Sequence, residues 1–174
     1  SRQAVRQAIR SNPEARIVVT GCYAQTEPDA IKKIDGVHQI IGHGDKHKIP
    51  EMMLSRDKDH CPSLIHRDIL SEHHFEHIPV TVFGNRTRPF LKIQDGCNAF
   101  CSYCIVPYAR GRSRSMPVES VLTSIRCLKE SGFHEVVLSG VHLGAYGTDL
   151  SPQTDLMSLL VRIRDSNAID RVRL

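Results

Sequence analysis

Three thiols fall within eight residues of this sequence: Cys97, Cys101 and Cys104, spaced C-x3-C-x2-C. Thiolates are soft ligands that suit zinc and iron. Zinc usually takes four ligands, often in C-x2-C pairs, and the local set stops at three. A 4Fe-4S cube has four irons, each of which takes a thiolate. Three cysteines on one loop would hold three corners and leave the fourth iron open to chelate a small molecule through an amine and a carboxylate. The other cysteines, Cys22, Cys61 and Cys127, are scattered along the chain. Six cysteines in a small secreted domain would read as a disulfide framework. Nothing here signals secretion, and close spacing in such a chain reads as a metal site.

Composition and charge set the bounds. Of 174 residues, 40% are hydrophobic and 24% charged, which excludes collagen, intrinsic disorder and a disulfide miniprotein. No apolar run approaches a membrane-spanning length, and Ser-Arg-Gln-Ala-Val-Arg at the start has no signal-peptide core. The net charge of +4 is too small to diagnose nucleic-acid binding, but its distribution is uneven. Residues 86–115 carry six basic side chains (Arg86, Arg88, Lys92, Arg110, Arg112 and Arg114) against one acidic one. The plain reading of such a cluster is a solvated surface stripe, and its place next to three cysteines shifts the balance away from that.

The elements that must position the cysteines follow from periodicity. Residues 2–10 read as a helix, Arg16 to Thr20 as a buried strand and Gly21 to Gln25 as a loop. Thr26 is the expected N-cap of a helix to about Ile34 with Pro28 in its first turn. Val37 to Ile41 reads as a strand and Lys46 to Leu54 as a helix. The alternation implies a parallel α/β sheet. Residues 56–85 hold five of the ten histidines (His60, His66, His73, His74 and His77) and little helical period, and read as a linker with surface imidazoles. Phe90 to Gln94 is then a strand that runs into the cysteine loop. A helix over 117–131 shows Val118, Val121, Leu122, Ile125 and Leu128 on one face, with Gly132 at its C′ position. A strand at Glu135–Ser139, a glycine-bearing loop, a helix capped by Thr154 and a strand from Arg171 complete a β-α-β-α-β pattern. Ligands of such sheets bind at the C-terminal ends of the strands, where the cysteine loop begins.

The run Ile93-Gln94-Asp95-Gly96-Cys97-Asn98-Ala99-Phe100-Cys101-Ser102-Tyr103-Cys104, continuing to Val106-Pro107-Tyr108-Ala109-Arg110-Gly111, resembles the radical S-adenosylmethionine (SAM) methylthiotransferases. Tyr103 fills the aromatic position of their cysteine motif. Val137 to Gly147 is similar to the branch that acts on threonylcarbamoyl-adenosine in tRNA. Val19-Thr20-Gly21-Cys22-Tyr23-Ala24-Gln25 looks like the family's third cysteine motif for a second 4Fe-4S cluster, whose other two ligands would lie upstream of this chain.

The resemblance implies a Rossmann-like α/β domain ending near residue 55, the linker, and the first β/α units of a TIM-type radical SAM barrel over 86–174. It implies that Cys97, Cys101 and Cys104 hold the cluster that cleaves SAM, and that Cys22 helps to hold the other. Ser139, Gly140 and Val141 would contact the amino group of SAM, with Tyr103 near the adenine. Arg110, Arg112 and Arg114 would approach the tRNA backbone. A 5′-deoxyadenosyl radical would take hydrogen from carbon 2 of the modified adenine, and a methylthio group would be installed there. No side chain is called for as a general acid or base. A flavodoxin or ferredoxin would supply electrons, in the cytoplasm and without a membrane. Cys61 and Cys127 are assigned to neither cluster, and Cys127 is expected to pack beside Leu128. With no initiating Met and an unfinished strand pattern, the chain reads as an internal piece that is inactive alone. Alternatives are the relatives acting on isopentenyl-adenosine in tRNA or on a ribosomal-protein aspartate, and a non-enzymatic zinc-binding nucleic-acid module.

Overall fold

The computed structural model describes residues 1–54, 63–77 and 87–174. They form two compact units, one of residues 1–72 and 99–111 and the other of residues 73–98 and 112–174. Cys61, His60 and Arg86 lie outside the described residues. Among the described residues, no helix is long and apolar enough to cross a membrane.

The first unit opens with α1 (Arg2–Ser11), followed by β1 (Val18–Thr20). The segment expected as a loop is instead a short helix, α2 (Cys22–Thr26), entered through Gly21 at φ 103°. Glycine reaches that conformation without steric cost, so the chain can leave the strand and turn at once into the helix. Thr26 is not an N-cap: it ends α2, and its hydroxyl donates to the Cys22 carbonyl at 3.1 Å. Glu27 takes the cap position of α3 (Pro28–Lys32), with Pro28 in the first turn as expected.

After β2 (Gln39–Ile41), the expected single helix divides into a 3-10 segment, His43–Lys48, and α4 (Ile49–Leu54). Residues 63–65, within the stretch expected as a linker, form β3 (Ser63–Ile65) and pair parallel with β2. The sheet order is β1-β2-β3, all parallel. Val19, Ala24, Ile31, Ile34, Val37 and Ile40 are its core, and burying the valine and isoleucine side chains contributes roughly 1.5–3 kcal/mol each.

The second unit is built on β4 (Phe90–Lys92), a two-residue strand β5 (Gln94–Asp95), and, after the cysteine loop, β6 (Arg114–Ser115). The helix α5 (Val106–Arg110) lies within that loop and belongs to the first unit. Next come α6 (Val118–Glu130), β7 (Glu135–Ser139), α7 (Leu156–Asp165) and β8 (Arg171–Arg173). The sheet order is β4-β7-β8, all parallel, while β5 and β6 pair antiparallel.

In α6, Val121, Leu122, Ile125 and Leu128 are buried, as the spacing predicts. Gly132 follows at φ 88°. Cys127 is exposed rather than packed, because at 100° per residue it points about 100° away from buried Leu128. The cap of α7 is Asp155, not Thr154. The Asp155 carboxylate accepts the Ser158 N–H at 2.7 Å, whereas Thr154 uses its own N–H on the Gly147 carbonyl at 3.2 Å.

Candidate functional site

The cysteine loop leaves the C-terminal end of β4 and is closed at its base by the β5/β6 pair, with Asp95 opposite Arg114 and Gln94 opposite Ser115. Two strands of two residues cannot hold a long loop by their ladder alone, and side chains do the rest. Asn98 accepts the Ser113 N–H at 3.0 Å. Asp95, buried, accepts the Gly96 N–H at 3.0 Å and is paired with Lys92 at 2.8 Å. Ser115 donates its N–H and hydroxyl to the two oxygens of Asp149 at 2.8 and 2.6 Å, and its hydroxyl oxygen accepts the Gly147 N–H at 2.8 Å.

Gln94 is the centre of this arrangement. Its side chain is fully buried. Its amide nitrogen donates to the Gly96 carbonyl at 2.9 Å, the Ser113 hydroxyl at 3.0 Å and the Asp95 carbonyl at 3.2 Å. Its amide oxygen accepts the His142 N–H at 2.8 Å. One side chain thus joins both ends of the cysteine loop to the loop after β7.

The expected cofactor loop is at the same sheet edge. Ser139 pairs with Lys92 in the β4–β7 ladder, and the Ile93 N–H donates to the Ser139 carbonyl at 2.9 Å. Ser139 is half-buried, while Gly140 and Val141 are exposed. A β-carbon on Gly140 would lie 2.9 Å from both the β-carbon and the amide oxygen of Gln94, so only glycine lets the two segments approach this closely.

Cys97 is half-buried, Cys101 exposed and Cys104 half-buried, and none of the described cysteines is in a disulfide. The Cys104 N–H donates to the Cys101 carbonyl at 2.9 Å, closing a turn with Ser102 and Tyr103 at its tip. Tyr103 is 89% exposed. Among the described residues, no three His, Cys, Asp or Glu side chains are gathered closely enough to hold a metal ion. The loop thus supplies three thiols on one segment without arranging them as a cage. The donor set still fits an iron–sulfur cluster in kind, being all sulfur, and ligands commonly close around a metal only as it binds.

In the first unit Cys22 is the first residue of α2, and α5, which follows Cys104, packs against α2. Gly111 ends α5 at φ 82°, where a β-carbon would lie 2.3 Å from the Ile69 carbonyl oxygen. Gln25 on α2 plays a part like that of Gln94. Its amide oxygen accepts the His43 N–H at 2.7 Å, its amide nitrogen donates to the Arg67 carbonyl at 2.9 Å, and it meets His66 Nε2 at 2.9 Å. His66, expected as a surface imidazole, is exposed but tied in this way. Nearby, Asp45 is buried against Arg67 at 2.7 Å and Lys48 at 2.9 Å. Burial pushes its carboxyl up, and the bonds from Arg67 and Lys48 outweigh that and hold it below the usual range.

The arginine stripe divides. Arg112 is exposed, Arg110 half-buried and Arg114 buried within β6. Arg114 is thus set apart from the other two by its burial. Arg88 lies 4.0 Å from Glu135, and Lys92 is paired with Asp95, so part of the excess charge serves the fold. The residues that sequence reasoning missed are Gln94, Ser113, Ser115 and Asp149. No sequence signal marks them, because their partners are distant in the chain.

Residues 91–174 match the model of the radical SAM superfamily. The chain is 43% identical over 150 residues to the threonylcarbamoyladenosine tRNA methylthiotransferase of Bacillus subtilis, a match covering 86% of this chain and 33% of that protein. It is 36% identical over 174 residues to the Aquifex aeolicus protein of the same name, covering 100% of this chain and 42% of the relative. The tRNA-2-methylthio-N(6)-dimethylallyladenosine synthase of Clostridium tetani is 40% identical over 165 residues, 93% of this chain and 36% of the relative. The chain therefore spans less than half the length of these relatives.

Proposed function

We propose that this chain is part of a radical SAM tRNA methylthiotransferase that modifies carbon 2 of N6-threonylcarbamoyladenosine beside the anticodon. The observation that carries the reading is the C-x3-C-x2-C loop. It leaves the C-terminal end of a parallel strand, within a segment that matches the radical SAM superfamily. The similarity to relatives named for that tRNA reaction supports the substrate.

Cys97, Cys101 and Cys104 would hold a 4Fe-4S cluster, and Cys22, with ligands from outside this chain, a second one. Together with SAM, the first cluster supplies one-electron chemistry able to activate the unreactive C2–H bond of an adenine. The protein's part is placement. The β5/β6 clasp, Asn98 and Gln94 fix the loop base, and Ser139, Gly140 and Val141 line the sheet edge beside it. Tyr103 lies at the tip of the Cys101–Cys104 turn, where it would meet the adenine of SAM. Arg112 and Arg110 supply positive charge for the tRNA backbone. The parallel units would be the end of a Rossmann-like domain and the start of a TIM-type barrel. A cytoplasmic setting and a flavodoxin or ferredoxin as electron donor go with this reading.

Mass spectrometry of tRNA nucleosides from cells lacking the full-length protein tests it. The methylthio form of threonylcarbamoyladenosine disappears and the unmethylthiolated form accumulates. Unchanged levels overturn the reading. Loss of the methylthio form of isopentenyladenosine instead points to the reaction named for the Clostridium tetani relative.

A further inference from the structure

We infer that Gln94 is a positioning residue that keeps the base of the cysteine loop in register with the loop after β7 and thereby sets the affinity for the cofactor lying across both. The inference deepens the proposed function and rests on it. The geometry asks for a glutamine. The position needs one acceptor for the His142 N–H and an NH2 whose two hydrogens are shared among Gly96, Ser113 and the more distant Asp95, all within 3.2 Å, at full burial. Glutamate would supply the acceptor but no donor, and asparagine is a methylene shorter. Methionine has the length but none of the bonds.

These bonds do not join arbitrary parts of the sheet. They join the loop bearing Cys97 to the segment Ser139–His142, and both emerge at the C-terminal edge of adjacent parallel strands, where ligands of such sheets bind. A ligand held by a metal on one loop and by main chain on the next is sensitive to sub-ångström slip between them. The close approach of Gly140 to Gln94 shows how little slack there is.

The test uses the full-length protein, reconstituted anaerobically with iron and sulfide, and a Gln94→Met variant. Three quantities are read: iron per chain, amide hydrogen exchange over residues 96–98 and 140–143, and the change in the cluster's electron paramagnetic resonance spectrum as SAM is titrated. Iron content is expected to hold, exchange to quicken in both segments together, and the SAM dissociation constant to rise roughly tenfold. A SAM affinity within about twofold of wild type, or faster exchange in only one segment, overturns the inference. If Gln94→Met loses its iron, Gln94→Glu carries the test, since it keeps the acceptor for the His142 N–H and removes the donors to the loop base. Weaker SAM binding then supports the inference, and unchanged binding overturns it. A wild-type protein whose cluster never responds to SAM sinks the proposed function instead. Exchange in the variant still decides whether Gln94 couples the loops.

Discussion

The amide oxygen of Gln94, on β5, accepts the backbone N–H of His142, in the loop after β7, at 2.8 Å. Between them sits Gly140, whose backbone lies against the Gln94 side chain. The cysteine loop thus has its footing in hydrogen bonds as well as in the sheet ladder.

Gly140→Ala should therefore destabilise the protein. The new methyl would lie 2.9 Å from the Gln94 β-carbon and 3.0 Å from Leu143 Cδ2, closer than carbon atoms pack. Relief requires moving either the strand end or the loop, which costs about 1–3 kcal/mol. Urea denaturation measures this, and a change under about 0.5 kcal/mol would show that the two segments have room to part.

Tyr146 gives a second test. It is fully buried and its hydroxyl donates to the Met116 carbonyl at 2.7 Å. Burial, with the Asp149 carboxylate as a further cause, pushes its phenol up to about 12. The folded state holds this proton more tightly than the unfolded state, so the stability it contributes is complete below the ordinary tyrosine value near 10 and is lost as pH rises through about 12. Tyr146→Phe should flatten that alkaline decline and cost about 1 kcal/mol at neutral pH. Denaturation curves at neutral and alkaline pH for the two proteins check both, and identical alkaline slopes would refute the assignment.

How much of this was legible beforehand depended on the range of the signal. The cysteine trio declares itself within eight residues, and α6 over enough turns for its apolar face to repeat. α2 has only five residues, too few for a helical period, and opens on Gly21, which reads as a turn. β3 is three residues with an exposed or half-exposed pattern, so it has no buried alternation, and only its pairing with β2 makes it a strand. Thr154 and Asp155 are both good caps, so residue type alone does not choose between them, and the bond from the Ser158 N–H marks Asp155 as the cap. Gln94 lies in a strand as its sequence suggests, but its bond to His142 leaves no periodic trace because the two are far apart in the chain.

Asp45 predicts an acid response of opposite sense to that of Tyr146. Its carboxyl is held below the usual range: burial opposes ionisation, but Arg67 and Lys48 more than offset it. The stability it contributes is present above the unfolded carboxylate value and is lost as pH falls through the depressed folded one. Asp45→Asn should lower stability at pH 7 and reduce its dependence on pH in the acid range. Because Arg67 and Lys48 are partly exposed, the loss at neutral pH should be modest. A variant that keeps the wild-type acid slope would remove Asp45 from this role.

The cysteines should separate into classes when the full-length protein is reconstituted with iron. Replacing Cys97, Cys101 or Cys104 by alanine should cost about four irons per chain, and so, independently, should Cys22→Ala. Exposed Cys127 is the control. Cys127→Ser should leave iron content unchanged and shift stability by less than about 0.5 kcal/mol. Loss of iron on replacing Cys127 would break the assignment.

The arginines should separate by burial. Arg112 is exposed beside the cysteine loop, whereas Arg114 is buried within β6. A phosphate contact releases counterions, so Arg112→Ala in the full-length protein should weaken tRNA binding and lower the salt slope by about one. Arg114→Ala should instead act through the fold, removing a buried side chain from the β5/β6 clasp and destabilising it by about 1–3 kcal/mol. Binding titrations at several salt concentrations, set beside urea denaturation, distinguish the two. An unchanged slope for Arg112→Ala, or a lowered slope with intact stability for Arg114→Ala, would reverse the division that burial implies.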